Sequence, residues 1–540
     1  LDRFENYRIP PVRAARYQAS GFWSSETCND VLDARARMFG DRVVLSDARR
    51  RMTYRELASE VERTARWFAG LGMGPADVVT IQLPNVIEFA VAFFAVQRVG
   101  AIASQIGIDF RVREVEPIMQ LCESSFFVCP DRYKGFDYPG MVQVLRESLP
   151  RLCAICVFDQ DGGMSAIRIR ESAAAPDARP VEAPGDANAV TRMALTSGTT
   201  GNPKSILLSH NSILSACRIC NVDMTVTERD VFLIYLPLGL TWGYHALIQA
   251  ILAGGRAVLM ESFNAEATLE IIQRERATFI FTAPGSIVSM LNVSDRGRFD
   301  TSSLRILGTG GASCPIEVLR EARGYFGGRL CEFYGMAEVG YMSYTRPDDD
   351  PDLVCGTVGR VSSAMSVRIV DDAGNDVPLG HSGEIVADGP SINLGYYRNE
   401  QATKAAHTPD GWFRTGDVGT IDAAGNIRIV GRIKEIINRG GKKFYPREVE
   451  ELLYTHPKVL HAAIVAVPDK RLGERNCLCV VPQPGVQIAL AEMVAHLRDQ
   501  VAIYKLPEMI EIFEELPMTP SGKVQRPALS RLVLERWEHR

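Results

Sequence analysis

No run in this chain is long and uniformly apolar enough to read as a membrane span. The strongest candidate, residues 86–103 (VIEFAVAFFAVQRVGAIA), is interrupted by Glu88, Gln97 and Arg98, so a buried helix is expected instead. The chain also lacks a basic excess: 60 Lys and Arg face 65 Asp and Glu, for a net charge of -5. Neither a nucleic-acid surface nor an electrostatic membrane anchor is expected from that balance. Histidine is scarce, with eight residues scattered along the chain. His210 and His245 lie near segments of interest, yet neither has a partner constellation for catalysis. The first residues, LDRFENYRIPPVRAARY, lack the apolar stretch of a secretory leader. Twelve cysteines include two C-x-x-C pairs, Cys153/Cys156 and Cys217/Cys220. Neither pair has the glycine knuckle or nearby His that a zinc site wants, so buried free thiols in a reducing cytoplasm are expected.

What is present is a long globular chain. At 540 residues and 46% hydrophobic, it exceeds one hydrophobic core, and at least two domains are expected. Apolar runs such as DRVVLSD, DVVTIQLPN, ATFIFTAP and LRILGTGGA alternate with helical patterns, the signature of an α/β fold. Thr53 and Glu56 form a capping-box pattern ahead of an amphipathic stretch that ends near Gly70. From about residue 356 short alternating strands with Asp-Gly and Ala-Gly-Asn turns predict a β-rich subdomain running to about 431. A smaller α/β unit then covers 432–540. The domain boundary is expected in GRIKEIINRGGKK, where a strand gives way to a charged, Gly-bearing segment.

Six segments carry chemistry. The segment LTSGTTGNPKS supplies hydroxyls and close-approach amides from Thr196, Ser197, Gly198, Thr199, Thr200 and Gly201, with Lys204 as a point charge. These suit a polyphosphate. The loop misses the G-x-x-x-x-G-K-[ST] pattern, because Pro203 stands where the second glycine belongs. GTGGAS (308–313) follows a strand and allows a flat ring to lie against its backbone. In EFYGMAEVG, Tyr334 can stack on a base, and Glu338 can hold Mg²⁺, a hard cation that favours carboxylates together with substrate phosphates. In GWFRTGDVG, Asp417 can accept two ribose hydroxyls. GRIKEIINRGGKKFYP and PMTPSGKVQR complete the set. Each alone has a plain structural reading as a loop, a turn or a solvated lysine.

Together, in this order and spacing, TSGTTGNPK, YGMAE, RTGD, GRIKEIINRGGKK and PSGK resemble the adenylate-forming superfamily of acyl-CoA synthetases, peptide-synthetase adenylation domains and luciferases. The resemblance runs from about Thr53 to Arg526. It implies a large N-terminal domain of α/β and β-rich parts and a small, mobile C-terminal domain. It implies that ATP with Mg²⁺ converts a carboxylate to acyl-AMP, and that a thiol then displaces AMP. By the resemblance Lys523 is the catalytic lysine, Thr196 to Lys204 hold the β- and γ-phosphates, and Glu338 assists the metal. Gly310, Gly311 and Ala312 line the adenine, with Tyr334, Gly335, Met336 and Ala337 beside the nucleotide. Asp417 binds the ribose and Arg432 supports it. Lys434 is the hinge, and Gly440, Gly441 and Lys442 belong to the face that meets a pantetheine thiol.

Two departures from the superfamily pattern bear on specificity. Ala337 stands where a Thr hydroxyl usually meets the AMP phosphate. GMAE, with RYQASGFW and SYTRPDDD elsewhere, looks like the aryl-acid-activating branch. Yet PLGLTWGYH has Leu240-Thr241 where that branch's siderophore-type ligases carry His-Asn. A largely apolar acid is therefore expected, in a pocket built from Leu240, Thr241, Trp242, Tyr244 and Val339 with Gly311 and Met336. Coenzyme A is the expected acceptor, with a carrier-protein pantetheine as the alternative. A homo-oligomer is compatible with both. A non-catalytic nucleotide-binding protein is the reading from another class, and loss of Lys523 or Asp417 would have favoured it.

Overall fold

Thr53 and Glu56 close both halves of a capping box: the Thr53 side chain accepts from the Glu56 N–H, and Glu56 accepts from the Thr53 N–H. The helix that follows, Tyr54–Gly70, buries Leu57, Val61, Ala65 and Phe68 along one face. In the computed structural model, the described residues are all but 1–2, 5, 8, 76, 160–161, 171–184, 197–202, 312–313, 315, 328–329, 519–522 and 539–540. Residues 86–103 contain the helix Ile87–Arg98, buried from Ile87 through Gln97. Its charge is paired rather than exposed, since Arg50 Nη2 lies 2.9 Å from Glu88 Oε1. No helix among the described residues is long and apolar enough to cross a membrane. All twelve cysteines are free thiols.

Two sheets build the large domain. In the nine-stranded sheet Val231–Ile234, Phe279–Thr282, Ile306–Gly310 and Leu330–Met336 lie side by side in parallel. Their carboxyl ends therefore line up, and the GTGG and YGMAE segments emerge together there. That is the ligand crevice of an open α/β sheet. The seven-stranded sheet ends in an antiparallel pair, Val190–Thr196 with Lys204–Ser209, with Thr196 opposite Lys204. The largest core cluster joins side chains of both sheets to helices Ile87–Arg98, His210–Asp223 and Thr241–Ala253.

A four-stranded antiparallel sheet follows, Ser366–Val370, Gly383–Asp388, Phe413–Ile421 and Ile427–Arg432. A single 3₁₀ turn, Ile433–Glu435, separates it from a five-stranded sheet that begins at Ile437. Helices Pro446–Leu453, Leu490–Leu497 and Arg526–Glu538 pack on this last sheet and close two small cores of their own. The architecture is α/β with a large N-terminal and a small C-terminal part, as the resemblance implies. Arg526 ties the final helix to the turn: its Nε lies 3.0 Å from Glu435 Oε2 and its Nη2 2.8 Å from Glu450 Oε2. Those contacts fix the chain three residues after Lys523.

Candidate active site

The sheet register creates the centre of the site. Asp417 and Arg432 are direct partners across strands Phe413–Ile421 and Ile427–Arg432. Arg432 Nε lies 2.8 Å from Asp417 Oδ1, and Tyr334 Oη donates to Asp417 Oδ2 at 2.7 Å. Asp417 is buried, and its own N–H is held by Thr415 Oγ1 at 3.0 Å. Each carboxylate oxygen keeps a lone pair after these bonds, so Asp417 can still accept from a ribose.

Lys523 reaches this centre from the far end of the chain. Burial lowers its pKa, as does the charge of Arg432, while Asp417, Glu338 and Glu435 act in the opposite direction. Glu338 is the second anion it faces. Tyr396 Oη donates to Glu338 Oε1 at 3.0 Å, and Asn393 holds the Glu338 carbonyl through its N–H and Nδ2, at 2.8 and 3.1 Å. Burial raises the Glu338 pKa, and the Tyr396 hydrogen bond and the charges of Lys523 and Lys204 restrain the rise. Lys204 Nζ sits 4.9 Å from the centre of the Tyr396 ring. Tyr396 thus joins Lys204 to the Glu338 carboxylate.

Glycines let the chain segments around this centre pack closely. A Cβ on Gly310 would lie 2.2 Å from the Phe333 carbonyl oxygen and 3.2 Å from the Trp242 ring, and Gly311 adopts φ +76°. Gly335 is bound as tightly, 2.0 Å from the Gly340 carbonyl oxygen by the same measure. Met336 and Ala337 are half-buried beside it. Ser197, Gly198, Thr199, Thr200, Gly201 and Ala312 lie outside the described residues, and the side chain of Thr196 is likewise not described. A cationic pair of lysines, an arginine, the buried Asp417 and the half-buried Glu338 can hold a nucleotide and stabilise charge developing on its phosphates.

Glu338 suits a hard divalent cation. Tyr396 occupies one carboxylate oxygen, no other side-chain hydrogen bond among the described residues engages the second, and two lysine charges restrain the rise that burial gives its pKa. No cluster of three or more potential ligands exists among the described residues. Mg²⁺ is commonly held by one carboxylate together with substrate phosphates, so the donor set fits.

Residues 32–397 match the model of the family described as AMP-binding enzyme, and residues 448–523 match the AMP-binding enzyme C-terminal domain.

The chain belongs to the AMP-binding enzyme family.

It is an ATP-dependent, adenylate-forming ligase. Among its relatives is the 2-hydroxy-7-methoxy-5-methyl-1-naphthoate–CoA ligase of Streptomyces carzinostaticus, 36% identical, covering 96% of this chain and 95% of the relative. The 2,3-dihydroxybenzoate-AMP ligase of Bacillus subtilis is 34% identical, covering 98% of this chain and 97% of that one. Among solved structures, the amide bond synthetase McbA from Marinactinospora thermotolerans superposes with a TM-score of 0.82 at 28% identity, over 94% of this chain and all of that one.

The segment expected to hold the acid is locally well fixed in this AMP-binding enzyme. Asn85 clamps it, donating to the Leu236 carbonyl and accepting from the Leu238 N–H, both at 2.9 Å. Gly239 lies against the Ile106 backbone, 2.6 Å from its carbonyl oxygen to a would-be Cβ. Helix Thr241–Ala253 starts there, with Leu240, Thr241 and Trp242 half-buried at its mouth. Two expected pocket residues are elsewhere. Tyr244 is fully buried, packed 4.7 Å from Phe93 and under the guanidinium of Arg192, and Val339 is fully buried in the core of the β-rich part. A side chain that exposes no surface offers none to a ligand, so in this arrangement both are core residues. Burial lowers the pKa of His245 to about 3 and of His210 to about 4, so both are neutral core residues.

Lys434 lies exposed in the 3₁₀ turn. Gly440, Gly441 and Lys442 form an exposed hairpin tip, with φ of +60° and +84° at the glycines. Lys442 Nζ rests 5.2 Å from the centre of the Tyr504 ring. The small part therefore turns Lys523 inward while this hairpin faces solvent. Sequence reasoning missed Tyr396, Asn393, Asn85 and Arg192. The first three have no local signal. Arg192 does: it is a lone charge in the apolar strand AVTRMALT that leads into the segment expected to hold phosphates.

Proposed function

We propose that this enzyme is an acyl-CoA ligase. It converts a carboxylic acid with a largely apolar body to acyl-AMP, then transfers the acyl group to the thiol of coenzyme A with release of AMP. The observation that carries the reading is the company of Lys523, a residue of the small domain set among Arg432, Asp417 and Glu338 of the large one.

In the first half-reaction the acid's carboxylate oxygen attacks the α-phosphorus of ATP and pyrophosphate leaves. Mg²⁺, when bound, neutralises phosphate charge beside Glu338. Lys523 draws the two anionic reactants together, the carboxylate and the α-phosphate. Lys204 and the preceding loop hold the leaving pyrophosphate, and Asp417 with Arg432 and Tyr334 orients the nucleoside. Fixed positive charge aimed at developing phosphate charge is the main source of acceleration in such a site.

In the second half-reaction the small domain turns about Lys434. Lys523 withdraws, and the Gly440–Lys442 hairpin comes to the acyl-AMP with room for a pantetheine arm. The thiol sulfur attacks the acyl carbon, and AMP leaves. A carrier-bound pantetheine is the alternative acceptor, because it carries the same arm and would meet the same exposed hairpin. Adding coenzyme A, pantetheine or a carrier domain to preformed acyl-AMP and timing AMP release separates these acceptors.

A Lys523→Ala variant tests the division of labour. Acid-dependent ATP–pyrophosphate exchange should fall by on the order of 100-fold or more, the scale of removing one preorganised charge-stabilising donor. Thioester formation from supplied acyl-AMP should persist. Equal loss of both half-reactions would overturn the two-faced assignment.

A further inference from the structure

Every cysteine in the chain is buried except Cys153, Cys314 and Cys355, which are half-buried. Cys153 has Asp77, Arg170 and Arg151 as its charged neighbours. Cys314 and Cys355 instead share surroundings: Cys314 feels Cys355, and both feel Glu332. The fold brings them together from separate segments. Cys314 stands just ahead of helix Ile316–Tyr325, and Cys355 lies in helix Pro351–Gly356. These two helices pack on each other and on strand Leu330–Met336, which carries Glu332. Both thiols also pack against the main core of the large domain.

The groups around the pair are unspent. Arg323 Nη1 is buried without an acceptor, and Glu332, 7% exposed, has its Oε1 buried without a partner. Burial raises the Cys355 pKa, and the charges of Arg320 and Arg323 oppose the rise. Burial lifts Cys314 further, with Glu332 and Cys355 adding to the effect. Because the thiolate is the nucleophile in disulfide exchange, Cys355 is the attacking thiol and Cys314 the resolving one. Cys314 also faces the small domain. It acts on Tyr454, which follows helix Pro446–Leu453, and Arg447 in that helix acts on Glu332. The pair therefore lies beside the small domain in the arrangement that puts Lys523 in the site.

We propose that Cys314 and Cys355 are a redox-active dithiol that a low-molecular-weight disulfide converts to an intramolecular disulfide, and that this oxidation slows adenylation. The Cys355 thiolate attacks one sulfur of the small disulfide, and the other sulfur leaves as a thiolate. The Cys314 thiolate then attacks the Cys355 sulfur of the mixed disulfide and expels the second small thiolate. The protein gives up two protons and two electrons, and the small disulfide is reduced to two thiols. The new bond closes a loop that contains Tyr334 and Glu338. It also draws Cys314 toward helix Pro351–Gly356 and away from Tyr454, which loosens the seat of the small domain.

The test incubates the full chain with oxidised glutathione, locates cross-links by mass spectrometry of a non-reduced digest, and follows acid-dependent ATP–pyrophosphate exchange in parallel. A Cys314–Cys355 peptide should appear. Exchange should fall by on the order of 10-fold, the scale of an ordinary coupling between two sites, and dithiothreitol should restore it. Cys314→Ser and Cys355→Ser should keep their exchange in oxidised glutathione. Cys314→Ser should stop at glutathione bound to Cys355, and Cys153→Ser should oxidise as the wild type does. Glutathione on either thiol of the wild type with no cross-link overturns the proposal, as does a cross-link that forms only in urea. Loss of exchange that persists in both serine variants, or a complete cross-link with exchange unchanged, overturns the link to adenylation. The cross-link is read without any acid, so its failure is separate from a failure of the acid-activating reading.

Discussion

Gly431 precedes Arg432, the last residue of the four-stranded sheet, and the 3₁₀ turn Ile433–Glu435, and it packs directly against Tyr445 beyond that turn. A Cβ at Gly431 would stand 2.5 Å from Tyr445 Cδ1 and 2.6 Å from its Cβ and Cγ, closer than packed carbon atoms approach. The backbone of Gly431 is not in the left-handed region, so Tyr445 is the main obstacle to alanine. Overpacking by one methyl costs about 1–3 kcal/mol. The contact spans the 3₁₀ turn about which the small domain is proposed to rotate, so that rotation would relieve the strain without unfolding. Gly431→Ala should therefore bias the protein against the arrangement that places Lys523 in the site by about 2 kcal/mol, roughly 30-fold in population. Acid-dependent pyrophosphate exchange should fall by about that factor, while thioester formation from supplied acyl-AMP stays level or rises. Melting temperature should change little. Replacing Tyr445 with glycine, tolerated at the helix N-cap it occupies, should restore exchange in the double variant. Equal loss in both half-reactions, or no rescue by Tyr445→Gly, would refute the interpretation of this contact as specific to one domain arrangement.

Other consequences concern the carboxylates of Glu338 and Glu332. Tyr396→Phe removes the 3.0 Å hydrogen bond to Glu338 and raises the Glu338 pKa further. Ionised Glu338 is the useful form, so the acid limb of the exchange–pH profile should move to higher pH. The Mg²⁺ needed for half-maximal exchange should rise by on the order of 10-fold, the equivalent of one charged hydrogen bond of about 1.5 kcal/mol. A Mg²⁺ titration and a pH profile in the same variant check both. Glu332 sits buried with Oε1 unpaired, and burial pushes its pKa up to about 8 from an ordinary 4.5. The folded state thus holds a proton that the unfolded chain releases, and stability falls as pH rises from about 4.5 to about 8. Glu332→Gln should remove that slope and stabilise the protein at pH 8 by about 1–3 kcal/mol, visible in denaturant melts across pH. An unchanged slope would mean that Glu332 is ionised in the fold.

Much of this was legible in the sequence because the decisive features are local. Thr53 and Glu56 mark a helix start, the apolar run at 86–103 marks a buried helix despite Glu88, and alternating apolar strands mark the sheets. The nucleotide motifs are legible because each needs particular residue types on short loops at strand ends. What escaped is what only folding brings together. Tyr396 touches Glu338 and Lys204 from distant parts of the chain, and nothing in INLGYYRNE marks it. Tyr244 has the right spacing for the pocket, but its position on helix Thr241–Ala253 turns it into the core. Arg192 and Thr241 meet only because strand Val190–Thr196 runs beside that helix's first turn.

The central claim is that a carboxylic acid is activated by adenylation and then handed to a thiol. The most direct measurement is ATP–pyrophosphate exchange with Mg²⁺ across a panel of benzoate, salicylate, cyclohexanecarboxylate and C4 to C12 fatty acids, followed by AMP release when coenzyme A is added. The account predicts exchange that depends on at least one acid and stoichiometric AMP and acyl-CoA on addition of the thiol. ATP binding without exchange for any acid in a broad panel would contradict it.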